Sequence, residues 1–263
     1  MQAADWPAAL LSSLARPRPL ILFDNRDAGL SQLFGPRHDH EIRESDFPDA
    51  NPPSTQAPYT LFDMADDGVR LLDALGIPKV HVVGFSMGGM IAQLLGARHP
   101  DRVLSITGLM TSAGQPWLES TADADRMMRR SIVTDSDGLV DFLLQAEDIY
   151  AGPTALPDTA TRRELIRATI ARGHHSAGIW RQALAMRAAG DRRELIRSIV
   201  APLLMLHGEQ DPVIALRQAA AIAELLPAAR FIELSQTGHV LTEDNGAVIA
   251  DIISAFWQSL AID

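Results

Sequence analysis

The sequence contains no cysteine, which excludes disulfide bonds, thiolate metal ligands and a cysteine nucleophile. It also has no apolar run near the roughly 20 residues that are needed to cross a bilayer. Its N-terminus lacks a basic flank followed by an apolar block, so it does not resemble a secretory signal. We therefore expect a protein without a membrane partner, with the cytoplasm as its default compartment.

Positive charge is also scarce. The 23 Lys and Arg residues are outnumbered by 33 Asp and Glu residues, and the formal net charge is -10. The basic residues are scattered along the chain, whereas binding to a phosphate backbone needs a basic patch. The composition therefore argues against nucleic acid as a partner.

The apolar residues form two kinds of segment that alternate along the 263 residues. Short runs rich in Leu, Ile and Val are typical of strands that are buried on both faces of a parallel sheet; they are residues 20–23, 80–83, 103–109, 203–206 and 231–234. Helical spacing of apolar residues is found in residues 61–75, 87–95 and 248–260. This alternation predicts an α/β fold with a mostly parallel sheet flanked by helices.

Residues 115–199 break the alternation, because they have charged amphipathic segments but no strand pattern. We predict that they form a helical lid inserted into a core of residues 1–114 and 200–263. Lid side chains that are candidates for lining a pocket, or equally for packing, are Trp117, Met127, Met128 and Trp180. Two near-copies, residues 162–167 and 192–197, are interpreted as two surface helices of coincidental similarity, because a repeat architecture needs more copies.

The sequence Gly-Phe-Ser-Met-Gly-Gly at residues 84–89 lies between a predicted strand and a predicted helix. A G-x-S-x-G pattern at such a junction places the serine at the apex of a strained turn. Gly84 and Gly88 supply the lack of bulk that the turn needs. Ser86 is therefore the predicted nucleophile, and the N–H of Met87, at the start of the helix, is the predicted oxyanion donor.

A serine hydroxyl needs a base to take its proton and a carboxylate to orient that base. Of the eight histidines, only His239 lies in a Gly-containing turn after a late strand, and Asp211 follows the strand 203–206. The two residues complete the chain order Ser, acid, His. Asp211 could instead cap a helix starting near Val213, with Glu209 as a weaker alternative acid. We interpret His207 as support for the loop that holds Asp211.

His174 and His175 form an adjacent pair in the predicted lid. Adjacent residues on a helix point to different faces, and no carboxylate lies four residues further on. We interpret the pair as lid-surface residues, and we expect neither a metal nor a cofactor.

The motifs at residues 84–89, 208–212 and 238–239 together resemble the α/β-hydrolase fold superfamily over essentially the whole chain. Residues 23–31 resemble a loop in a subgroup that includes methylesterases acting on anthracycline polyketides. The resemblance implies a serine esterase, because the epoxide hydrolase and haloalkane dehalogenase variants of the fold use Asp at the position of Ser86. We expect a small-molecule ester substrate that is cleaved through an acyl-enzyme.

We expect Asp24, Arg26 and Ser31 of the same loop to shape a turn near the site. In this superfamily, three strands normally precede that loop, and the third ends in a turn that supplies a second oxyanion donor. The sequence starts after such a turn, and Trp6-Pro7 resembles the helix that should follow it. We therefore expect the second donor to be missing and Met1 to be an internal methionine or an altered start.

The resemblance also implies that the missing strand, which should carry the oxyanion turn, belongs in the sheet between the strands 20–23 and 80–83. Alternatively, these two strands pair directly and give a smaller, inactive form. Acyl transfer to another alcohol and peracid formation remain open as reactions, since both use the same triad. A non-catalytic ligand-binding protein of the same fold is the alternative from a different class. The complete triad argues against this alternative, and the missing oxyanion turn argues for it.

Overall fold

A computed structural model describes residues 2–35, 57–114, 119–129 and 136–260, so that Trp117 lies outside the described residues. These described residues form four strands: β1 (Val80–Phe85), β2 (Val103–Leu109), β3 (Leu203–Gly208) and β4 (Arg230–Leu234). The helices of the described residues are α1 (Ala8–Ala15), α2 (Leu61–Ala74), α3 (Met87–Arg98), α4 (Ala122–Arg129), α5 (Ser136–Ala151), α6 (Thr159–Gly173), α7 (Ser176–Ala189), α8 (Arg193–Ile196), α9 (Leu216–Leu225) and α10 (Glu243–Ser259). In the same described part of the chain, residues Ala3–Asp5 and Pro100–Arg102 form short 3-10 helices.

The four strands form one parallel sheet in the order β1-β2-β3-β4. Successive side chains of a strand point to opposite faces, and β3 shows this clearly. Leu203 and Met205 pack with α2, α3 and α9, whereas Leu204 and Leu206 pack with α1 and α10. Because helices cover both faces, the run of apolar residues that predicted β3 is explained by burial on both sides. The predicted α/β class with a parallel sheet is confirmed.

The ends of the long helices follow from local sequence. Thr60 caps α2, where its side chain accepts from the N–H of Asp63 and the Asp63 carboxylate accepts from the N–H of Thr60. Thr242 and Asn245 form the same reciprocal pair at the start of α10. Such capping boxes satisfy N–H groups that have no partner inside the helix.

The predicted strand at residues 20–23 is wrong. This segment has no regular secondary structure, and Ile21, Leu22 and Phe23 are 37%, 45% and 45% exposed. In the described part of the chain, no strand lies between it and β1, and it does not pair with β1 either. β1 is therefore the edge of the sheet described here and is only partly buried along most of its length. A strand forms by pairing its backbone groups with a neighbour, so apolar composition alone does not produce one.

The segment between β2 and β3 contains helices α4–α8 and no strand among its described residues. Helices α5 and α6 pack through Val140, Leu144 and Ile166. The helical content agrees with the predicted lid, whose boundaries at 115 and 199 stay a prediction. Met127 is buried in α4, and Met128 packs against the main core, so both are packing residues here.

The two near-copies at residues 162–167 and 192–197 were expected to be surface helices. They begin with Arg162 and Arg192, which are only 6% and 3% exposed. Arg162 pairs with Asp148 at 2.5 Å, and Arg192 donates to the carbonyl oxygen of Ser112 at 2.9 Å. The expectation of exposure is wrong at these two positions, because each guanidinium is packed against a neighbouring segment and bonds to an oxygen of that segment.

Candidate active site

Ser86 stands between the end of β1 and the start of α3 with φ 54° and ψ -118°. A positive φ in a residue other than glycine is strained, and here it turns the chain sharply from strand to helix. A Cβ at Gly84 would overlap the backbone of Gly88, and one at Gly89 would lie 2.7 Å from the Thr111 side chain. At Gly88 itself, a Cβ would meet nothing within 4 Å. The steric need for glycine was thus predicted correctly at position 84 but not at position 88.

The structure brings the three predicted site residues together. His239 Nε2 lies 3.0 Å from Ser86 Oγ, and His239 Nδ1 lies 2.7 Å from Asp211 Oδ2. The Asp211 side chain is completely buried, and the His239 side chain is 7% exposed. The phenyl ring of Phe85 packs against the imidazole with 5.0 Å between ring centroids. Ser86, His239 and Asp211 therefore form one continuous chain of contacts.

Asp211 has a second set of contacts within its own loop. Its Oδ1 accepts hydrogen bonds from the N–H groups of Val213 and Ile214, both at 2.8 Å. Helix α9 begins only at Leu216, so the expectation of a helix starting near Val213 is wrong. Asp211 thus caps a turn with one oxygen and contacts His239 with the other, whereas Glu209 on the same loop is exposed.

His207 lies beneath this loop and is fully buried. Its Nε2 is 2.9 Å from the carbonyl oxygen of Ile214 and 3.3 Å from Asp211 Oδ2. Because a carbonyl oxygen can only accept, Nε2 must carry the proton. Burial lowers the pKa of His207, which outweighs the opposite effect of Asp211. A neutral His207 therefore supports the Asp211 loop, as the sequence suggested.

The N–H of Met87 is positioned by helix α3. Met87 is the first residue of that helix, and the first N–H groups of a helix have no intrahelical partner. The N-terminus also carries the positive end of the helix dipole. The N–H of Ser86 is already used, because it donates to the carbonyl of Leu109 at 2.8 Å. A role for the Met87 N–H as an oxyanion donor stays a prediction.

The loop after residue 23 forms the expected turn. Asp24 Oδ2 accepts from the N–H of Leu30, and the hydroxyl of Ser31 donates to the carbonyl of Asp24. Arg26 points away from this turn and pairs with Asp67 of α2 at 2.7 Å. The turn is therefore made by Asp24 and Ser31, while Arg26 ties the loop to α2.

His175 was expected on the lid surface, and this is wrong. It is 4% exposed, and its Nε2 lies 2.9 Å from the carbonyl oxygen of Gly29. Its burial follows from the packing of α7 on the loop that holds Gly29. Among the described residues, no three His, Asp or Glu side chains are grouped as a metal site would require. In the same part of the chain, no helix combines the length and apolarity needed to span a bilayer.

Two contacts near the site were missed at the level of sequence. The N–H of His239 donates to the carbonyl oxygen of Tyr150 at 2.7 Å, and the N–H of Gly238 donates to the Thr154 hydroxyl at 2.8 Å. The Tyr150 carbonyl lies in the last turn of α5, and Thr154 lies in the connection between α5 and α6. No sequence signal identifies these two acceptors. Every residue has a backbone carbonyl, and a single Thr after a helix is common.

A parallel sheet with helices on both faces, and a serine on a strained turn between strand and helix, define a class of α/β enzymes. The chain belongs to the alpha/beta hydrolase fold family, whose sequence model matches residues 4–246. The predicted family is thereby confirmed.

Three known proteins illustrate the similarity. The chain is 26% identical to a rhodomycin D methylesterase of a Streptomyces species, over 92% of this chain and 82% of that protein. It is 27% identical to a putative carbamate hydrolase of Caulobacter segnis, over 91% of this chain and 81% of that protein. A solved esterase from Thermogutta terrifontis superposes with a TM-score of 0.70 at 21% identity, covering 100% of this chain and 87% of that one. The chain is therefore a hydrolase by family, and its similarity to methylesterases agrees with the resemblance noted in the sequence.

Proposed function

We propose that this protein cleaves a carboxylic ester of a small molecule, with Ser86, His239 and Asp211 as its catalytic triad. The observation that carries the proposal is the chain of two contacts, 3.0 Å from Ser86 to His239 and 2.7 Å from His239 to Asp211. The names of the relatives support an ester or a similar acyl compound as the substrate.

The first half of the reaction forms an acyl-enzyme. His239 Nε2 takes the proton of the Ser86 hydroxyl while Oγ attacks the ester carbonyl carbon, whose oxygen becomes negatively charged. Asp211 Oδ2 accepts from Nδ1–H, so it selects the tautomer that leaves Nε2 free to act as a base. The imidazolium then gives its proton to the departing alkoxide, the carbon–oxygen bond breaks, and the alcohol leaves.

The second half returns the enzyme to its starting state. His239 takes a proton from water, the resulting hydroxide attacks the acyl carbon, and Ser86 leaves with the proton that His239 returns. In both halves the N–H of Met87 stabilises the negatively charged oxygen. One ester and one water are consumed, and one carboxylic acid and one alcohol are released.

A covalent probe tests the nucleophile. A fluorophosphonate should label the folded wild-type protein, and Ser86→Ala should abolish both labelling and hydrolysis of p-nitrophenyl esters, because the hydroxyl that contacts His239 is lost. Ser12→Ala is the matched control, since Ser12 is exposed on α1, and it should be labelled like the wild type. A series of esters of increasing acyl length would define the acid part of the substrate.

Two outcomes would contradict the proposal. Equal labelling of the Ser86→Ala variant would place the nucleophile elsewhere. Tight binding of an ester by both wild type and Ser86→Ala, with turnover by neither, would support the ligand-binding alternative instead.

A further inference from the structure

The connection between α5 and α6 reaches across to the loop that carries His239. Two successive N–H groups of that loop donate to it and to the end of α5: Gly238 donates to the hydroxyl oxygen of Thr154 in the connection, and His239 donates to the carbonyl oxygen of Tyr150 in the last turn of α5. Thr154 is separated from Gly238 by 84 positions in the sequence. The two contacts therefore join distant parts of the chain at the residue next to the proposed base and at the base itself.

The end of α5 and the loop that carries His239 lie so close together that some positions have no room for a side chain. A Cβ at Gly238 would overlap the carbonyls of Tyr150 and Ala151. Gly152 adopts φ 55°, and a Cβ there would lie 3.1 Å from the carbonyl oxygen of Gln210 in the loop before Asp211. The end of α5 therefore packs backbone to backbone against both loops that hold the proposed acid and base.

The loop before His239 needs such anchors. Gln236 has φ 52°, which is unusual for a residue other than glycine, and the flexible Gly238 follows two residues later. The imidazole must satisfy the 2.7 Å contact to Asp211 and the 3.0 Å contact to Ser86 at the same time. Holding the N–H groups of residues 238 and 239 fixes two consecutive peptide planes, and with them the direction of the His239 side chain.

We propose that Thr154 is a positioning residue for His239: its hydroxyl holds the Gly238 N–H and thereby keeps the imidazole aligned between Ser86 and Asp211. This inference rests on the proposed function, since it assigns Thr154 a role through the triad. Of the two acceptors, only the Thr154 oxygen belongs to a side chain, so only it can be removed by substitution. Thr154, in the segment between β2 and β3, thus controls the geometry of His239.

The test compares two substitutions at this position. Thr154→Val keeps the shape but removes the acceptor, and a displacement of about 1 Å near the reacting atoms costs on the order of 100-fold in rate. We expect Thr154→Val to lower kcat by about 10-fold to 100-fold with KM changed by less than about 2-fold, because alignment is lost while the pocket remains. Thr154→Ser retains the hydroxyl and should keep most of the wild-type kcat.

A matched control is available in the next helix. Thr161 also uses its hydroxyl in a hydrogen bond, to Asp158 at 2.7 Å, but it lies at the exposed start of α6. Thr161→Val should leave kcat within about 2-fold of the wild type, as expected of surface sites away from special contacts. Hydrogen–deuterium exchange of the peptide containing Gly238 should accelerate in Thr154→Val and not in Thr161→Val.

The outcomes separate this inference from the function on which it rests. A wild-type kcat in Thr154→Val, or an equal loss of kcat in Thr154→Ser and Thr154→Val, would overturn the role of Thr154 while leaving the triad intact. A wild-type protein without turnover, or an active Ser86→Ala variant, would instead overturn the proposed function. A fall in KM or stability alone, with kcat unchanged, would assign Thr154 a purely structural contact.

Discussion

At the scale of single residues, the environment of Asp211 determines what the site can do. Its carboxylate is completely buried and lies against two backbone N–H groups, the His239 ring and the His207 ring. A buried carboxylate without such donors would be costly. The same contacts keep Oδ2 directed at His239 Nδ1, which is the contact that selects the imidazole tautomer.

Asp211→Asn should preserve the fold and lower turnover by roughly 10⁴-fold, by analogy with serine proteases, because the amide N–H favours the wrong histidine tautomer. Glu209→Gln is the control on the same loop, and it should have little effect because Glu209 is exposed. Steady-state ester hydrolysis by the two variants gives the comparison. If Glu209→Gln proved to be the more damaging change, Glu209 would be the acid and Asp211 only the cap of its turn.

At the scale of elements, the loop of residues 24–34 ties the helices between β2 and β3 to the rest of the protein. Asp27 pairs with Arg181 of α7 at 2.6 Å, and Asp24 pairs with Arg172 of α6 at 2.7 Å. Burial raises the pKa of the Asp27 carboxyl, but hydrogen bonds from Arg181 and the Phe34 N–H outweigh it, so that this pKa is lowered overall. Gly178 allows the approach of α7, because a Cβ there would overlap the Asp27 carbonyl.

Replacing Arg181 by Met should therefore be strongly destabilising. The Asp27 carboxylate would stay buried without its cation, and breaking a buried pair in this way typically costs about 3–5 kcal/mol. Arg126→Met is the control, because Arg126 forms a pair with Asp123 in which both side chains are more than half exposed, and its effect should stay within about 0.5 kcal/mol. Urea unfolding of both variants measures the difference; equal midpoints would show that the Asp27 pair does not secure α7.

At the scale of the whole molecule, the half-buried His81 is one of the residues that link stability to pH. His81 of β1 stacks on Trp257 of α10 with 4.9 Å between ring centroids, and its Nδ1 lies 2.7 Å from the Ser105 hydroxyl oxygen. Burial, with a smaller contribution from Arg18, lowers the pKa of His81 from 6.5 to about 4. Between these two pH values the unfolded chain binds more protons than the folded protein, so stability decreases as the pH falls.

We expect the free energy of unfolding to decline from pH 6.5 towards pH 4 and this contribution to level off below that. His81→Phe keeps an aromatic ring against Trp257 but has nothing to protonate, so its decline across this window should be shallower. Ser105→Ala removes the hydrogen bond and leaves the imidazole in place, so it should retain the wild-type slope. Denaturant titrations at several pH values provide the slopes, and identical slopes for His81→Phe and wild type would refute the assignment.

Much of this molecule follows from local sequence. The strands β1–β4 and the helices α2, α3 and α10 were predicted, because apolar periodicity and glycine-containing turns are signals within a few residues. The same holds for Ser86, whose turn needs only its immediate neighbours. Asp211 and His239 could be chosen by chain order and by the strands before them, although their contact spans 28 positions.

Tertiary structure alone decided the features that depend on distant partners. Residues 20–23 have the composition of a strand but no paired neighbour, so they do not form one. Arg162, Arg192 and His175 read as surface residues, yet each is buried against an oxygen acceptor from elsewhere in the fold. The contact of Thr154 with the His239 loop also depends on a partner that is distant in the sequence. A sequence records which groups can bond, whereas burial and pairing depend on what the folded chain brings within about 3 Å.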